Sequence, residues 1–174
     1  MTPLLHSKAP NFTLIDQHGT MHTLAEYTGM YVLLYFYPKD DTPGCTTEAC
    51  SFRDRLNELK AKNVQVLGVS VDDEQSHKKF AEKYQLNFPL LADTDKKVVT
   101  AYNVWKEKTL AGKTFMGIMR ESFLINPEGN IIKHYENVKP ETHVEEIIED
   151  IEKIKKVAKM RLFCGPSRIR TYEG

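Results

Sequence analysis

Two long apolar runs, separated by a segment of helical length, restrict the fold of this sequence more than any other feature. The runs are YVLLYFY at residues 31–37 and VQVLGVSV at residues 64–71. Continuous apolar runs of this length are typical of strands that are covered on both faces, as in sheets with helices on each side. The segment between them, residues 43–60, predicts a helix that opens with a proline. The sequence therefore predicts an α/β fold with a central sheet.

The rest of the chain continues to alternate between strand-like and helix-like segments. Residues 105–114 have a looser pattern and are not assigned to a strand or a helix. Apolar residues of the last helix form one stripe, made of Val144, Ile147, Ile148, Ile151 and Ile154. The predicted elements are an N-terminal hairpin of residues 12–15 and 21–23, a helix over 74–84, a strand over 88–91, a short helix over 95–102, a strand over 115–119, a hairpin of 121–126 and 130–136, and a final helix over 140–159.

Length and composition predict one globular domain. The chain has 174 residues, enough to bury roughly 70% of the unfolded surface. We assign residues 1–159 to the domain and residues 160–174, which show no clear period, to a flexible C-terminal tail. The tail contains Cys164, which we interpret as a bystander thiol.

Charge and cysteine content exclude several classes of function. Lys+Arg and Asp+Glu both number 24, so the net charge is zero and predicts neither a nucleic-acid partner nor a membrane surface. No apolar run approaches the ~18 residues of a membrane-spanning helix, and no secretory signal is visible at the N-terminus. Three cysteines do not make a disulfide framework. We therefore expect a cytoplasmic protein with a few functional thiols.

The segment PKDDTPGCTTEAC at residues 38–50 carries the strongest chemical signal. It places Cys45 in the first turn of the predicted helix, with Thr42 as the N-cap and Pro43 as the first helical residue. Cysteine reacts as the thiolate, which the unpaired N–H groups and the dipole at a helix N-terminus stabilise. Gly44 leaves the adjacent backbone uncovered, so that a small ligand could reach its N–H. A second thiol, Cys50, follows five residues later.

A purely structural role for Cys45 is the alternative. Cysteine often serves as a small buried apolar residue, and Cys45 falls on the apolar stripe of its helix. The other members of that stripe are Ala49, Phe52, Leu56 and Leu59. A reactive role is favoured because the segment follows the carboxyl end of a central strand, where α/β proteins place their sites, and because a partner thiol is present.

The spacing of the two cysteines has a mechanical consequence. In an intact helix, residues five apart are separated by about 7.5 Å along the axis and about 140° around it, so their Cα atoms are roughly 8–9 Å apart. A disulfide requires Cα atoms within about 7 Å. Cys45 and Cys50 can therefore join only if the first turns of the helix unwind.

The segment resembles the active site of a peroxiredoxin. The family pattern P-x-x-x-T-x-x-C is met at Pro38, Thr42 and Cys45, and the longer string TPGCTTEACSFRD is similar to the bacterioferritin comigratory protein or peroxiredoxin Q branch. The resemblance covers residues 4–157 and includes GVSVD, FPLLAD, YNVWKEK and GIMRESFLINPEG. It implies a thioredoxin-like fold with a central mixed sheet flanked by helices and an N-terminal β-hairpin. It also implies a thiol peroxidase that needs no cofactor or metal.

The resemblance implies roles for the two thiols and their partners. Cys45 is the peroxidatic thiolate that attacks the O–O bond, and Cys50 is the resolving thiol that forms an intramolecular disulfide with it. The Thr42 hydroxyl binds the thiolate and the peroxide, and Arg120 holds the thiolate and polarises the peroxide. A dithiol such as thioredoxin then reduces the disulfide. Since both thiols are in one chain, a monomer is expected.

Three further residues receive implied roles. Pro38 shields the sulfur from water, and Glu48 orients the arginine. The backbone N–H groups of Gly44 and Cys45 bind the departing oxygen. The sequence departs from the family pattern at Glu121, an acidic neighbour that is expected to weaken the field of Arg120, and at Asn126, where aspartate is common.

Three other functions compete with this interpretation. A zinc site needs three or four ligands at compatible spacing, whereas His77, His134 and His143 stand apart on polar segments and are expected to be solvated. A protein disulfide oxidoreductase favours C-x-x-C, which is absent from the sequence. A non-catalytic binding module of thioredoxin-like fold has no need for Pro38, Thr42, Cys45 and Arg120 together.

Overall fold

A computed structural model describes residues 5–163 of the chain and contains nine strands and five α-helices in that part. The strands are β1 (Thr13–Ile15), β2 (Met21–Thr23), β3 (Tyr31–Phe36), β4 (Val64–Ser70), β5 (Leu90–Ala92), β6 (Trp105–Leu110), β7 (Lys113–Ile118), β8 (Glu121–Ile125) and β9 (Ile131–Tyr135). The helices are α1 (Pro43–Asp54), α2 (Leu56–Ala61), α3 (Glu74–Tyr84), α4 (Lys97–Ala101) and α5 (His143–Phe163), with a 3-10 helix at Leu24–Tyr27.

Seven strands form one mixed sheet in the order β2-β1-β5-β4-β3-β8-β9. The central strand β3 pairs parallel with β4 and antiparallel with β8, and β4 pairs parallel with β5. The N-terminal hairpin β1–β2 forms one edge of the sheet, and the hairpin β8–β9 forms the other. The predicted α/β fold with a central mixed sheet and an N-terminal hairpin is confirmed.

Both faces of the sheet are covered, as the apolar runs predict. Leu33 and Tyr35 of β3 point into a core shared with α1, α2, α3 and α5. Val32, Leu34 and Phe36 point to the opposite face, where α4 and the N-terminal segment cover them. Each of these five side chains is no more than 2% exposed. Because successive side chains of a strand point to opposite faces, a strand covered on both faces needs an apolar residue at every position.

The helix-bearing segments are predicted correctly, but some boundaries differ. The helix predicted over residues 43–60 is interrupted at Arg55, which separates α1 from α2. The last helix begins at His143 instead of 140 and extends to Phe163 instead of 159, so four residues assigned to the tail are helical. The rest of the tail, with Cys164, lies outside the described residues.

The segment predicted as loose, residues 105–114, largely forms strand β6. It pairs antiparallel with β7 in a two-stranded ribbon that is separate from the main sheet. Two residues with left-handed backbone, Ala111 (φ 52°) and Gly112 (φ 78°), make the turn between the strands. The sequence of β6, WKEKTL, has too little apolar alternation to predict a strand. Pairing with β7 therefore determines its conformation.

A membrane span is not found in this part of the protein. Among residues 5–163, no helix combines the length and the apolar character needed to cross a bilayer.

Candidate active site

Cys45 lies in the first turn of α1, immediately after the loop of residues 38–42 that leaves β3. Thr42 occupies the N-cap position with extended backbone (φ −97°, ψ 156°), and Pro43 is the first helical residue, as predicted. The Cys45 side chain is 1% exposed and packs with Ala49 and Phe52 in the core. The predicted helical stripe is thus confirmed, and the sulfur lies where the N-terminal N–H groups of a helix are unpaired.

Arg120 contacts the sulfur directly. Its Nη2 donates a hydrogen bond to Cys45 Sγ at 3.4 Å, and its Nη1 donates to Glu48 Oε1 at 2.8 Å. The sheet brings these residues together, because β8 runs antiparallel to β3 with Glu121 opposite Phe36. Arg120, which immediately precedes β8, therefore lies beside the loop that follows β3. Burial disfavours the charge of Arg120, but the nearby Cys45 and Glu48 outweigh it and raise the pKa of the guanidinium.

Glu48 is a buried carboxyl group with one strong partner. Its side chain is 1% exposed, and Oε2 has no hydrogen-bond partner among the described residues. Burial raises the pKa of Glu48 to about 7, even though the charge and the hydrogen bond of Arg120 act in the opposite direction. The predicted contact between Glu48 and the arginine is present, and it fixes the guanidinium so that its other nitrogen faces the sulfur.

Gly44 provides the space that Arg120 occupies. A Cβ atom at this position would lie 3.0 Å from Arg120 Nη2 and 3.6 Å from Pro140 Cγ. The sequence predicted an uncovered backbone at Gly44. In the structure, the guanidinium and Pro140 instead fill the space that a side chain would take.

The Thr42 side chain makes a different hydrogen bond from those predicted. Its hydroxyl donates to the Lys39 carbonyl oxygen at 2.8 Å, and it makes no capping hydrogen bond to α1. A hydroxyl has one proton to donate, so in this conformation Thr42 does not donate to Cys45. Pro38 is half-buried in the same loop.

Cys50 lies in the same helix as Cys45, and both are free thiols. Cys50 is half-buried, in contrast to the fully buried Cys45, as expected from its place outside the apolar stripe. Because α1 is continuous from Pro43 to Asp54, the spacing argument applies to this conformation. The two sulfurs can join only after α1 unwinds locally.

The prediction that three histidines are solvated is wrong. His77 and His143 are 0% and 1% exposed, and His134 is half-buried. A polar side chain lies within hydrogen-bond distance of each ring, and this contact offsets the cost of burying the ring nitrogens. The closest polar side chains are Asp40 at 2.7 Å from His77, Glu121 at 2.7 Å from His134, and Ser122 at 2.8 Å from His143.

The acidic neighbour of Arg120 has partners of its own. Glu121 is buried, with Oε1 2.7 Å from His134 Nε2 and Oε2 3.7 Å from Lys106 Nζ. His134 on β9 and Lys106 on β6 thus contact the Glu121 carboxyl group from the sheet and from the ribbon.

Sequence reasoning missed Lys108, a further basic residue near the site. Lys108 Nζ donates to the Ile118 carbonyl oxygen at 2.7 Å, and its stem passes over Gly117, where a Cβ would lie 3.0 Å from Lys108 Cδ. Burial and the charge of Arg120 lower the pKa of Lys108, and the charge of Cys45 opposes this shift. No signal in the sequence indicated this placement, because it depends on the β6–β7 ribbon.

Comparison with known proteins agrees with this geometry. The AhpC/TSA family matches residues 5–134. Bacillus subtilis peroxiredoxin Bcp is 45% identical over 152 residues, which cover 87% of this chain and 97% of that protein. Escherichia coli peroxiredoxin Bcp is 47% identical over 135 residues, which cover 78% and 86%.

Solved structures agree as well. A mutant of Xylella fastidiosa PrxQ superposes with a TM-score of 0.84 at 35% identity, covering 89% of this chain and 99% of that one. The Xanthomonas campestris bacterioferritin comigratory protein superposes with a TM-score of 0.78 at 37% identity, covering 82% and 90%.

A thioredoxin-like fold that buries a cysteine at a helix N-terminus against a fixed arginine defines a thiol-dependent peroxidase of the peroxiredoxin class. The similarity to the Bcp and PrxQ proteins confirms the resemblance drawn from the sequence. The chain belongs to the AhpC/TSA family.

Proposed function

We propose that the protein reduces peroxides at Cys45 and recycles through an intramolecular Cys45–Cys50 disulfide. The observation that carries this proposal is the hydrogen bond from Arg120 Nη2 to Cys45 Sγ at 3.4 Å, at the N-terminus of α1. A cation and a helix N-terminus both favour the thiolate over the thiol. No other cysteine among residues 5–163 has this environment.

In the first step, the Cys45 thiolate attacks the terminal oxygen of a hydroperoxide. An S–O bond forms, the O–O bond breaks, and the departing alkoxide or hydroxide takes up a proton to give an alcohol or water. The sulfur is oxidised to a sulfenic acid, and the peroxide is reduced. Arg120 and the backbone N–H groups of Gly44 and Cys45 stabilise the negative charge that develops on the departing oxygen. In this proposal Pro38 shields the sulfur from water, and Thr42 contacts the thiolate and the peroxide once its hydroxyl turns away from the Lys39 carbonyl oxygen.

In the second step, Cys50 attacks the sulfenic acid of Cys45. An S–S bond forms, and the hydroxyl group leaves as water. This step follows local unwinding of α1, because an intact helix keeps the Cα atoms roughly 8–9 Å apart. A thioredoxin-like dithiol then reduces the disulfide and becomes oxidised itself.

We propose hydrogen peroxide and organic hydroperoxides as substrates. The related Xanthomonas campestris protein is described for its alkyl peroxide reduction activity. We further propose a cytoplasmic monomer that needs neither a metal nor a nucleic-acid partner. Residues 1–159, extended by the last turn of α5 to Phe163, are proposed as its catalytic domain. A monomer is consistent with the presence of both thiols in one helix.

Peroxide consumption in the presence of thioredoxin, thioredoxin reductase and NADPH tests the cycle. Cys45→Ser is expected to abolish turnover. Cys50→Ser is expected to retain the first oxidation of Cys45 but to lose most of its recycling by thioredoxin. Mass spectrometry of the oxidised wild type should show the Cys45–Cys50 disulfide.

Three outcomes would contradict the proposal. Undiminished turnover of Cys45→Ser excludes Cys45 as the reacting thiol. Normal thioredoxin-dependent turnover of Cys50→Ser excludes the intramolecular disulfide, and reduction of protein disulfides without peroxidase activity would favour a disulfide oxidoreductase.

A further inference from the structure

The loop that precedes Cys45 is held by a buried polar cluster that the reaction itself does not use. At its centre, Asp40 is 8% exposed and accepts three contacts. Its Oδ1 accepts from the Tyr37 hydroxyl at 2.6 Å, and its Oδ2 accepts from Ser76 Oγ at 2.8 Å. Oδ2 also lies 2.7 Å from His77 Nδ1. The loop is thereby joined to the N-terminal part of α3.

The Asp40–His77 pair requires a shared proton. His77 is fully buried, and its Nε2 lies 3.0 Å from the Leu91 carbonyl oxygen, which can only accept. Nε2 therefore carries a proton. A second proton must lie between Nδ1 and Asp40 Oδ2, because without it a nitrogen lone pair and a carboxylate would face each other in the interior.

The Asp40 backbone is fixed as well. Its N–H donates to Asp72 Oδ2 at 2.9 Å, and the same oxygen accepts from Ser70 Oγ at 2.8 Å. Asp40, Asp72 and His77 each place one oxygen or nitrogen atom that could bind a metal ion within 4.8 Å of the other two. Protein groups already donate to Asp40 Oδ2 and Asp72 Oδ2, the two carboxylate oxygens of this cluster. The cluster is therefore a hydrogen-bonded connection between the loop before α1 and the segment that joins β4 to α3.

The next residue attaches the loop to α3 a second time. Asp41 has left-handed backbone (φ 57°), and its carboxylate accepts from Lys83 Nζ at 2.8 Å and the Tyr84 hydroxyl at 2.7 Å. These contacts are exposed, and exposed ion pairs contribute little because water competes for them. The buried Asp40–His77 pair is therefore the stronger attachment.

We propose that the Asp40–His77 pair positions Cys45 for attack on peroxide and opposes the local unwinding that the disulfide requires. This inference rests on the proposed cycle. Asp40 precedes the N-cap Thr42 by two residues and Cys45 by five, so fixing Asp40 also fixes the start of α1. Cys45 must leave the core to reach Cys50. The backbone that precedes it is attached to α3 at Asp40, so this attachment opposes the movement.

The proposal predicts opposite effects on two steps of one cycle. Loosening the pair lets the first turn of α1 fluctuate, so peroxide meets a correctly placed sulfur less often and Cys45 oxidation slows. The same loosening lowers the barrier to unwinding, so formation of the disulfide from the sulfenic acid speeds up. A residue that merely supports stability would not separate the two rates in this way.

Rapid-quench mass spectrometry on the full chain, with hydrogen peroxide as the oxidant, measures both rates. His77→Gln keeps a polar side chain but loses the shared proton. We expect it to slow sulfenic acid formation about tenfold and to speed disulfide formation several-fold. Ser76→Ala removes one donor to Asp40, leaves His77 in place, and should shift both rates in the same two directions by a smaller factor. It also provides the test if His77→Gln does not fold.

A second buried pair of the same kind is the matched control. His22 Nε2 lies 2.7 Å from Asp16 Oδ2 in the β1–β2 hairpin, away from the loop. His22→Gln is expected to lower the midpoint of thermal unfolding and to leave both rates within about twofold of the wild type.

The outcomes separate this inference from the proposed function. If wild type forms neither a sulfenic acid at Cys45 nor the disulfide, the proposed cycle itself fails. If wild type completes both steps but the His77 and Ser76 variants change them no more than His22→Gln does, or change both in one direction, the positioning role is wrong while the cycle stands.

Discussion

Cys45 and Cys50 belong to the same helix, but their surroundings differ in almost every respect. Cys45 is buried at the helix N-terminus and receives a hydrogen bond from Arg120. Cys50 is half-buried in the middle of the helix, where the backbone N–H groups bond to preceding carbonyls. The position in the helix and the tertiary partners, not the residue type, therefore distinguish the two thiols, and in the proposed cycle they assign attack to Cys45 and resolution to Cys50.

The two ends of α1 are also held differently. Around Cys45, the contacts are buried and charged, with Arg120 fixed by Glu48 and the preceding loop fixed through Asp40. Beyond Cys50, the Arg53 guanidinium donates to the Tyr84 carbonyl oxygen at 2.6 Å near the surface. One helix therefore carries a buried, firmly held thiol and a more accessible one, as the proposed cycle requires of its attacking and resolving cysteines.

Removing the cation is expected to erase most of the difference between the two thiols. Arg120→Met takes away the donor to Cys45 Sγ and retains much of the apolar volume of the side chain. Loss of one fixed donor at a developing charge lowers a rate by about 10²–10³-fold. Stopped-flow measurement of Cys45 oxidation by hydrogen peroxide should show a decrease of this size.

Arg55→Met is the control for this variant. Arg55 follows α1 directly, but it binds Glu58 and Glu145 at the surface. Its replacement should leave the oxidation rate within about twofold of the wild type. An equal decrease in both variants would contradict a specific role for Arg120.

The buried carboxyl group beside Cys45 should make stability depend on pH. The pKa of Glu48 is raised from 4.5 to about 7 in the folded state, so the folded protein binds a proton more tightly than the unfolded chain. Stability is therefore lost as the pH rises between these two values. Relative to Glu48→Gln, the wild type should lose about 2–3 kcal/mol of unfolding free energy between pH 5 and pH 8.

Urea unfolding at several pH values measures this difference. Glu149→Gln, on the exposed side of α5, is the control and should follow the wild type across the range. If the Glu48→Gln variant and the wild type change in parallel with pH, the Glu48 carboxyl group does not titrate in this range.

A smaller change should displace the arginine without removing it. The methyl group of Gly44→Ala would lie 3.0 Å from Arg120 Nη2, while Glu48 holds the other terminal nitrogen, Nη1. We expect the guanidinium to shift and Cys45 oxidation to slow about tenfold. Thr47→Ala, on the exposed side of the same turn, should have no such effect. A wild-type rate in Gly44→Ala would mean that the arginine moves without consequence.

Local sequence signals predicted the elements whose structure depends on nearby residues. The bounds of β2 and α3 agree with the prediction, because strand alternation and helix capping are short-range properties. The stripe from Cys45 to Leu59 is buried as predicted, since the helical period determines which side chains share a face. Strand β6 was missed because its conformation comes from pairing with β7.

The burial of polar side chains was the main feature that the sequence did not predict. His77 and His143 were expected in solvent, because their neighbours in the sequence are polar. Their partners, Asp40 for His77 and Ser122 for His143, are 37 and 21 residues away along the chain. Both pairings depend on distances that only the folded chain defines. The Thr42 hydroxyl also differs from the prediction, but for a local reason, because it donates to the carbonyl oxygen of Lys39, three residues before it.

The sequence by itself determined that Cys45 lies in the first turn of a helix, that Cys50 lies five residues further on, and that the two cannot join while the helix is intact. These properties follow from residue order and helical geometry alone. Only the tertiary structure decided which groups surround the first thiol. Arg120 reaches the sulfur through the pairing of β8 with β3, and Asp40, in the loop before α1, is held by a buried contact with His77 of α3. The charge of Arg120 is effective at the sulfur because the surrounding core excludes water.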